Sequence, residues 1–277
     1  MSFKRYLNAK ASVERRSLDP TVLKEVEALI KGRTEPTVLE VGAGTGSMPI
    51  HLSEKDVLPE GTSYTALDKD GEVLDDARRR LSEHRLSETG SDGAVNIDGT
   101  EVGFVEGDLY DADGGYDLAV AHAVLDLLPV GEAVEHLLDL SEAFYFPVCF
   151  DGVTAFEPTY DEGFDRRIEE AYHATMDDRA GASRTGRRVF GAVRDSGGAV
   201  TAAGSSDWVL FPGEDGYTED ERYMLRYIVE TVGDAVEGAP EIDADRLQSW
   251  VEDRLRRIED EELVYIAHQI DLAGRSN

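Results

Sequence analysis

The segment VLEVGAGTGSMPIHL, residues 38–52, restricts the fold of this chain more than any other part of the sequence. Its first four residues are mostly apolar, as in a buried strand, and its last residues have the composition of a helix. Gly42, Gly44 and Gly46 connect the two. A strand that leads into a helix through a glycine loop begins a strand–helix–strand unit, so the segment predicts an α/β fold.

The same alternation of strands and helices continues along the chain. Strand-like runs occupy 37–41, 63–68, 101–108, 116–124 and 143–150, with helical stretches between several of them. The first 33 residues read as helical, and Pro20 heads their last helical run. The polar stretch 87–100 is predicted to be a loop with room for a short hairpin, and 199–212 to be one strand. We therefore predict a doubly wound, mostly parallel sheet.

The chain is strongly acidic, with 58 acidic against 28 basic residues and a formal charge of −30. Such self-repulsion is costly at low ionic strength, and molar salt screens most of it. The acidity and the absence of lysine after Lys69 favour a protein from a halophilic organism, and an ordinary acidic protein is the alternative. Acidity also argues against nucleic acid as a partner, although a halophilic surface is acidic whatever it binds.

The N-terminal run, the apolar windows and the cysteine and histidine content predict the location of the protein and the absence of a metal site. The run MSFKRYLNAK lacks the apolar core of a signal peptide, and no window approaches 18 apolar residues, so we expect a soluble, cytoplasmic protein without a membrane partner. Cys149 is the single cysteine and lies in an apolar run, which predicts a buried thiol. The six histidines have no metal-binding spacing, so no metal site is predicted.

The glycine loop leaves two kinds of cofactor open, a dinucleotide and S-adenosylmethionine (SAM). The dinucleotide fingerprint requires Gly or Ala at position 47, where this chain has Ser47. Glu40 lies inside the preceding strand, and a carboxylate there needs hydrogen-bond donors from the loop or from a ligand's ammonium group. Asp68 and Asp108 end the next two strands, where they are placed to accept from a ribose and an adenine amino group.

Together these motifs resemble those of the class I SAM-dependent methyltransferases. The first motif is VLEVGAGTG (38–46), followed by LD (67–68), EGDL (106–109) and YDLAVAHAVLDLL (116–128). The resemblance implies SAM as cofactor, methyl transfer as activity and a seven-stranded sheet whose last strand, around 263–271, is antiparallel. It also implies these cofactor-binding residues: Glu40, Gly42, Ala43, Gly44, Thr45, Gly46, Asp68, Lys69, Gly107, Asp108, Leu109 and His122.

To transfer a methyl group, an enzyme mainly has to position the nucleophile and exclude water, and it needs a base if the acceptor carries a proton. His122 and His173 are the candidate catalytic residues, with Asp126 a weaker one. For His122, holding the cofactor is the alternative role, and for His173 it is helix packing. His173, Asp177 and Trp208 are candidate substrate-binding residues.

Two departures from known motifs exclude some classes of methyl acceptor. The fourth strand ends in AHAV rather than in the N/D-P-P-Y/F run that methylates amino groups of bases or glutamine, and Cys149 follows valine rather than proline. We expect O-, N- or C-methylation of a small molecule. The alternatives are a non-catalytic protein that binds SAM or a nucleotide, and an NAD-type oxidoreductase.

No repeat or linker marks a second domain, so residues 1–277 are predicted to form one methyltransferase domain. Its expected parts are N-terminal helices (1–35), a cofactor-binding half (36–150), a cap insertion (151–186) and the C-terminal half of the sheet with extra helices (187–277). The N-terminal helices and the insertion are expected to form a helical cap.

Overall fold

The computed structural model describes residues 3–84, 87–89, 93–177, 182–218 and 220–276. The helices are α1 (Phe3–Ser17), α2 (Pro20–Ile30), α3 (Ser47–Glu54), α4 (Gly71–Ser82), α5 (Val130–Leu140), α6 (Glu162–Asp177), α7 (Thr185–Asp195), α8 (Glu221–Val236) and α9 (Ala244–Glu259). The strands are β1 (Thr37–Val41), β2 (Ser63–Asp68), β3 (Ser87–Thr89), β4 (Val95–Ile97), β5 (Thr100–Glu106), β6 (Tyr116–Ala121), β7 (Ser141–Glu157), β8 (Ala199–Ser205), β9 (Trp208–Leu210) and β10 (Val264–Arg275).

The strands form one mixed, mostly parallel sheet in an α/β fold, as predicted. Nine strands follow the order β3-β4-β5-β2-β1-β6-β7-β10-β8, and β9 pairs with β10 beside this path. Strands β5, β2, β1, β6 and β7 are mutually parallel, and β10 is antiparallel to β7 and β8. The antiparallel last strand agrees with the expectation.

The expected count of seven strands was wrong, because the described residues contain ten. The segment 87–100, predicted as a loop with room for a hairpin, forms the antiparallel pair β3–β4, with 90–92 outside the described residues. The run 199–212 forms two strands rather than one. It is interrupted at Ser206 and Asp207, whose backbone N–H and carboxylate bond to the backbone of Gln269 at 3.0 and 3.1 Å.

Side-chain caps fix where α2 and α4 begin. The Asp19 carboxylate accepts from the backbone N–H groups of Thr21 and Val22 at the start of α2, and Pro20 occupies the first turn, where its missing N–H costs nothing. The Asp70 carboxylate does the same at the start of α4. The Asp70 cap starts α4 directly after β2, at the carboxyl ends of the parallel strands, where the site forms.

The position of β1 determines where a ligand can bind. The chain runs from β1 outward to β2 and β5, then returns to β6 on the other side of β1. The loops after β1 and β6 therefore leave the sheet in opposite directions and open a crevice at the carboxyl ends of these strands. Ligands of doubly wound sheets bind at such a switch point.

Strand β7 is 17 residues long and continues beyond the parallel part of the sheet. Its second half pairs with the first half of β10, and β9 lies on the other side of β10. Helices α1, α6, α8 and α9 pack around this ribbon and against one another, and we call this helical layer the cap. Two ring contacts illustrate the packing: Tyr6 stacks on Tyr227 at 4.4 Å, and Phe156 meets Trp250 edge-on at 5.4 Å.

The cap insertion was therefore only partly predicted. The helix expected around 164–172 is present as α6, but 151–157 continues β7 instead of leaving the sheet. A β-bulge lies in this ribbon at Val148, whose φ is +59°, opposite a register shift around Asp271. The buried Asp271 carboxylate accepts from the backbone N–H groups of Val148 and Asp19, both at 2.8 Å.

Across the described ranges, no helix is both long enough and apolar enough to cross a bilayer.

Candidate functional site

The loop after β1 is held in a conformation that requires glycine. Gly42, Gly44 and Gly46 have φ values of +65°, +55° and +69°. A Cβ on Gly42 would lie 2.6 Å from the Val124 side chain, and one on Gly46 would lie 2.6 Å from Leu81. A Cβ on Gly44 would meet no atom closer than 3.8 Å. The loop therefore packs tightly at both ends, and its middle faces open space that a ligand can approach.

Asp68 ends β2 beside this loop and fixes its position. One carboxylate oxygen of Asp68 accepts from the Gly44 backbone N–H at 2.9 Å, and the other accepts from the Asp70 N–H at 3.0 Å. The Ala43 N–H donates to the Leu67 carbonyl at 3.0 Å. These bonds bring the acid that ends the second strand against the glycine loop, as the motifs predicted.

The third strand contributes the neighbouring rim of the crevice. The Gly107 N–H donates to the Asp68 carbonyl at 2.9 Å, so Asp108 lies next to the end of β2. Lys69 Nζ lies 2.8 Å from the Asp108 carboxylate, and this hydrogen bond holds the pKa of Asp108 below its ordinary value. Leu109 follows as a buried residue. Both charged side chains are partly exposed at this rim.

Glu40 is fully buried in β1, two residues before the loop. The Tyr64 hydroxyl donates to its Oε2 at 2.9 Å, while Oε1 has no hydrogen-bond partner within the described residues. Burial raises the pKa of Glu40 to about 8, with Asp68 and Glu14 adding to the rise and the Tyr64 hydrogen bond opposing it. The carboxyl group is therefore neutral at pH 7 and carries one oxygen with unused capacity.

His122 follows β6 on the opposite side of the crevice and is 8% exposed. Its Nε2 lies 3.5 Å from Glu14 Oε1 of α1, and Lys10 Nζ lies 2.8 Å from the same oxygen. Burial lowers the pKa of His122 to about 4, although the Glu14 carboxylate opposes that shift. The imidazole is therefore neutral at pH 7 and able to accept a proton.

Glu14 and Lys10 are site residues that the sequence did not reveal. They lie one turn apart on α1, and no motif marks them. The only signal in the sequence was that Glu14 lies close to the apolar residues Ala11 and Val13 on a helix, which would have suggested that it shares their buried face. Both apolar residues are indeed buried. Only the packing of α1 onto the sheet shows that Glu14 meets His122.

His173, Asp177 and Trp208 have other neighbours. His173 Nε2 lies 3.0 Å from Thr154 Oγ1, and its ring meets Phe150 edge-on at 5.5 Å. Burial holds the pKa of His173 below its ordinary value. Trp208 is 8% exposed within the hydrophobic core.

Asp177 accepts from the Ser183 N–H and hydroxyl at 3.2 and 2.5 Å. It thereby holds the turn Ala182–Arg184, which packs against the turn Leu125–Leu127 that follows His122. Asp126 belongs to this second turn, and burial raises its pKa to about 6. The structure thus brings the predicted cofactor residues and His122 to one crevice, and His173, Asp177 and Trp208 to positions outside it.

Several buried polar atoms at or beside the crevice have no hydrogen-bond partner within the described residues. They include Glu14 Oε2, Glu40 Oε1, His122 Nε2 and Asp126 Oδ1. Glu14 influences the pKa of Glu40, His51 and His122, so these groups lie within electrostatic range of one another. Folded proteins leave few buried polar atoms unsatisfied, so such a cluster marks a place where a polar ligand supplies the missing bonds. Over the same described residues, no group of acids, histidines or cysteine could hold a metal ion.

No protein-family model matches the chain, and no curated protein matches it. Three solved structures have a similar chain path at low identity. Magnesium protoporphyrin IX methyltransferase from Synechocystis PCC 6803 with bound SAM is 15% identical, with 92% of this chain and 78% of that chain covered and a TM-score of 0.44. A SAM-dependent methyltransferase from Thiobacillus denitrificans in complex with S-adenosyl-L-homocysteine is 18% identical, with 98% of this chain and 99% of that chain covered and a TM-score of 0.48. A SAM-dependent methyltransferase from Geobacter sulfurreducens in complex with the same compound is 14% identical, with 94% of this chain and 92% of that chain covered and a TM-score of 0.47. The residues of the site, rather than these matches, carry the functional conclusion.

Proposed function

We propose that this protein is a class I SAM-dependent methyltransferase with a small-molecule acceptor, built as one domain. The observation that carries the proposal is the unpartnered, fully buried Oε1 of Glu40 beside the glycine loop. With Tyr64 donating to Oε2, the neutral carboxyl carries its proton on Oε1, and a cationic ligand group beside Oε1 would favour loss of that proton and then donate to the ionised oxygen. The methionyl ammonium group of SAM is such a donor, whereas NAD has no ammonium group, so Glu40 favours SAM over a dinucleotide.

The remaining crevice residues fit the other parts of SAM. The open middle of the glycine loop, at Ala43 and Gly44, would lie against its methionyl part. Asp68 retains unoccupied lone pairs on both oxygens and would accept from the ribose hydroxyls. Asp108 would accept from the adenine amino group, with Lys69 holding its carboxylate ionised.

When bound, SAM supplies a methyl group on a sulfonium, which is already activated for displacement. The chain then has to hold the acceptor, exclude water and remove a proton if the acceptor carries one. His122 is neutral, buried and at the end of β6, so it is the base we propose for a protonated acceptor. Glu14 would stabilise the imidazolium that forms, because its carboxylate lies 3.5 Å from Nε2.

The acceptor is proposed to be small because α1 covers the crevice, with Glu14 and Lys10 against His122. A macromolecular acceptor would have to displace this helix. The net charge of −30 also opposes the approach of a polyanion such as nucleic acid. His173, Asp177 and Trp208 lie outside the crevice, so their substrate contact is proposed only for an acceptor that extends toward the cap.

Calorimetric titration tests the cofactor. SAM and its demethylated product should bind the wild-type protein, and NAD should not. Binding of NAD without binding of SAM would refute the proposal. Transfer of labelled methyl groups to a small-molecule extract then separates the enzyme from a SAM-binding protein without catalysis. A protein that binds SAM and transfers no label to any fraction would favour the second class.

A further inference from the structure

A second polar cavity, of about 340 Å³, lies between α1, α3 and α4. Its lining includes Ser12, Arg15, His51 and Arg80 together with the acids Glu54 and Glu83. It is lined by no residue of the glycine loop and by none of the residues at the carboxyl ends of β1, β2 or β6. The cavity is therefore separate from the crevice, and its volume falls in the lower range of small-molecule sites.

Arg80 is a half-buried cation that forms no ion pair within the described residues, although the Glu14 carboxylate lies close enough to raise its pKa against the effect of burial. Its Nη1 donates to Thr45 Oγ1 at 3.2 Å, and it forms no ion pair with any acid in the part of the chain that the structure describes. The two arginines before it on α4 do pair, Arg78 with Asp75 and Arg79 with Asp76. In a chain with 58 acids and 28 bases, an unpaired arginine that is half-buried indicates an anion supplied from outside.

The other groups around Arg80 also offer donors. His51 is 3% exposed. Within the described ranges, neither its Nδ1 nor the Ser12 hydroxyl has a hydrogen-bond partner. Burial is the main reason that the pKa of His51 falls to about 3; His122, Arg80 and Arg15 contribute to the fall, and Glu14 opposes it. The imidazole is therefore neutral, and a neutral imidazole has one N–H to donate.

The acids near this donor set have other partners or are exposed. Glu14 acts on the pKa of Arg80 and of His51, but its carboxylate pairs with Lys10 at 2.8 Å. Glu54 lies 3.9 Å from Arg15 and 3.6 Å from His84, so its charge is already engaged. Glu83 is exposed at the end of α4. Neither forms an ion pair with Arg80 among the described residues.

We propose that this cavity binds the carboxylate or phosphate group of a small organic molecule other than the cofactor. Arg80, His51 and Ser12 donate to the anion, and Arg15 adds positive charge. Through its bond to Thr45, Arg80 joins the cavity to the cofactor loop, so an anionic ligand here lies next to the crevice. The anion site stands without methyl transfer, because none of these donors belongs to the crevice residues of the proposed function.

Calorimetric titration with inorganic phosphate and with malonate, at constant ionic strength, tests the site on the full chain. Arg80→Met should weaken the binding of both probes at least tenfold. Arg79→Met is the matched control, since Arg79 is the exposed neighbour paired with Asp76, and it should leave both affinities within twofold. The demethylated product of SAM is titrated in the same samples and should bind both variants as it binds the wild type.

Three results would overturn the proposal. The first is that neither probe binds the wild-type protein. The second is an equal loss with Arg79→Met, which would show non-specific attraction. The third is competition between phosphate and the SAM product, with equal weakening by Arg80→Met, which would assign the cavity to the cofactor's own carboxylate.

A further variant keeps the test decisive if Arg80→Met does not fold, as judged by thermal unfolding. Ser12→Ala removes one donor from a helix that tolerates alanine, and it should weaken phosphate several-fold. Unchanged phosphate affinity in Ser12→Ala would then contradict the site. Binding of the SAM product without phosphate binding refutes this inference alone, and phosphate binding without the product refutes the proposed function alone.

Discussion

Glu40 allows the proposed cofactor site to be tested through protons as well as through affinity. With its pKa at about 8, this carboxyl holds about 0.9 of a proton at pH 7 and about 0.5 at pH 8. A ligand ammonium group beside Oε1 favours the ionised carboxylate, so the proton leaves on binding. We expect S-adenosylhomocysteine to release about 0.9 of a proton at pH 7 and about 0.5 at pH 8.

The assay is calorimetric titration in two buffers with different ionisation enthalpies, because the change in apparent binding enthalpy between them counts the protons released. Glu40→Gln cannot ionise, so its binding enthalpy should not depend on the buffer, and its affinity should fall by about 1–3 kcal/mol. Glu72→Gln, at an exposed glutamate in the first turn of α4, is the control and should release protons as the wild type does.

Two outcomes would refute the role of Glu40. One is clear binding to the wild-type protein with a buffer-independent enthalpy at pH 7. The other is proton release from Glu40→Gln equal to that of the wild type, which would place the released proton on a different group.

Three further predictions concern affinity and stability. Asp68→Ala removes the acceptor of the Gly44 N–H and of the ribose, so SAM affinity should fall by about 1–3 kcal/mol, and calorimetry showing no loss would contradict that role. The folded state keeps a proton on Glu40 that the unfolded chain loses above pH 4.5, so the stabilisation from this carboxyl is complete below pH 4.5 and disappears as the pH rises through 8. Denaturant titrations should show the wild type losing up to about 1.4 kcal/mol per pH unit in that window relative to Glu40→Gln, and parallel curves would argue against a buried neutral carboxyl. Asp271→Ala leaves the buried Val148 N–H and the partly buried Asp19 N–H without their acceptor, and should lower the free energy of unfolding by about 2 kcal/mol; urea unfolding at the wild-type midpoint would disprove this.

The grouping of the residues that we propose for the cofactor was predictable because its signals are local. Gly42, Gly44 and Gly46 have positive φ values that favour glycine, and the sequence has glycine at each of these three alternate positions. Asp68 and Asp108 end neighbouring parallel strands, and the carboxyl ends of such strands meet at one edge of a sheet. The order of motifs along the chain was therefore enough to bring these residues together.

The rest depended on contacts between distant segments. Glu14 meets His122 only because α1 packs over the sheet. The hydrophobic periodicity of a helix predicts which of its faces is buried, but it does not predict which element covers that face. Likewise, the strand was predicted to end at residue 150, yet β7 continues through Gly152, at a φ of +82°, because β10 supplies hydrogen-bond partners on that side. That Arg80 forms no ion pair with the described residues became visible only in the structure, beside the pairs that Arg78 and Arg79 form.

The length of β7 has a consequence for exchanging parts of this fold. Because β7 and β10 run from the sheet into the cap, the two regions share one hydrogen-bonded ribbon and lack a linker between them. A cap graft from another protein would have to cut both strands, and the bulge at Val148 and Asp271 would have to be rebuilt in register. We therefore expect new acceptor specificity to arise here by substitution of side chains on the existing helices, since the cap is not a transplantable cassette.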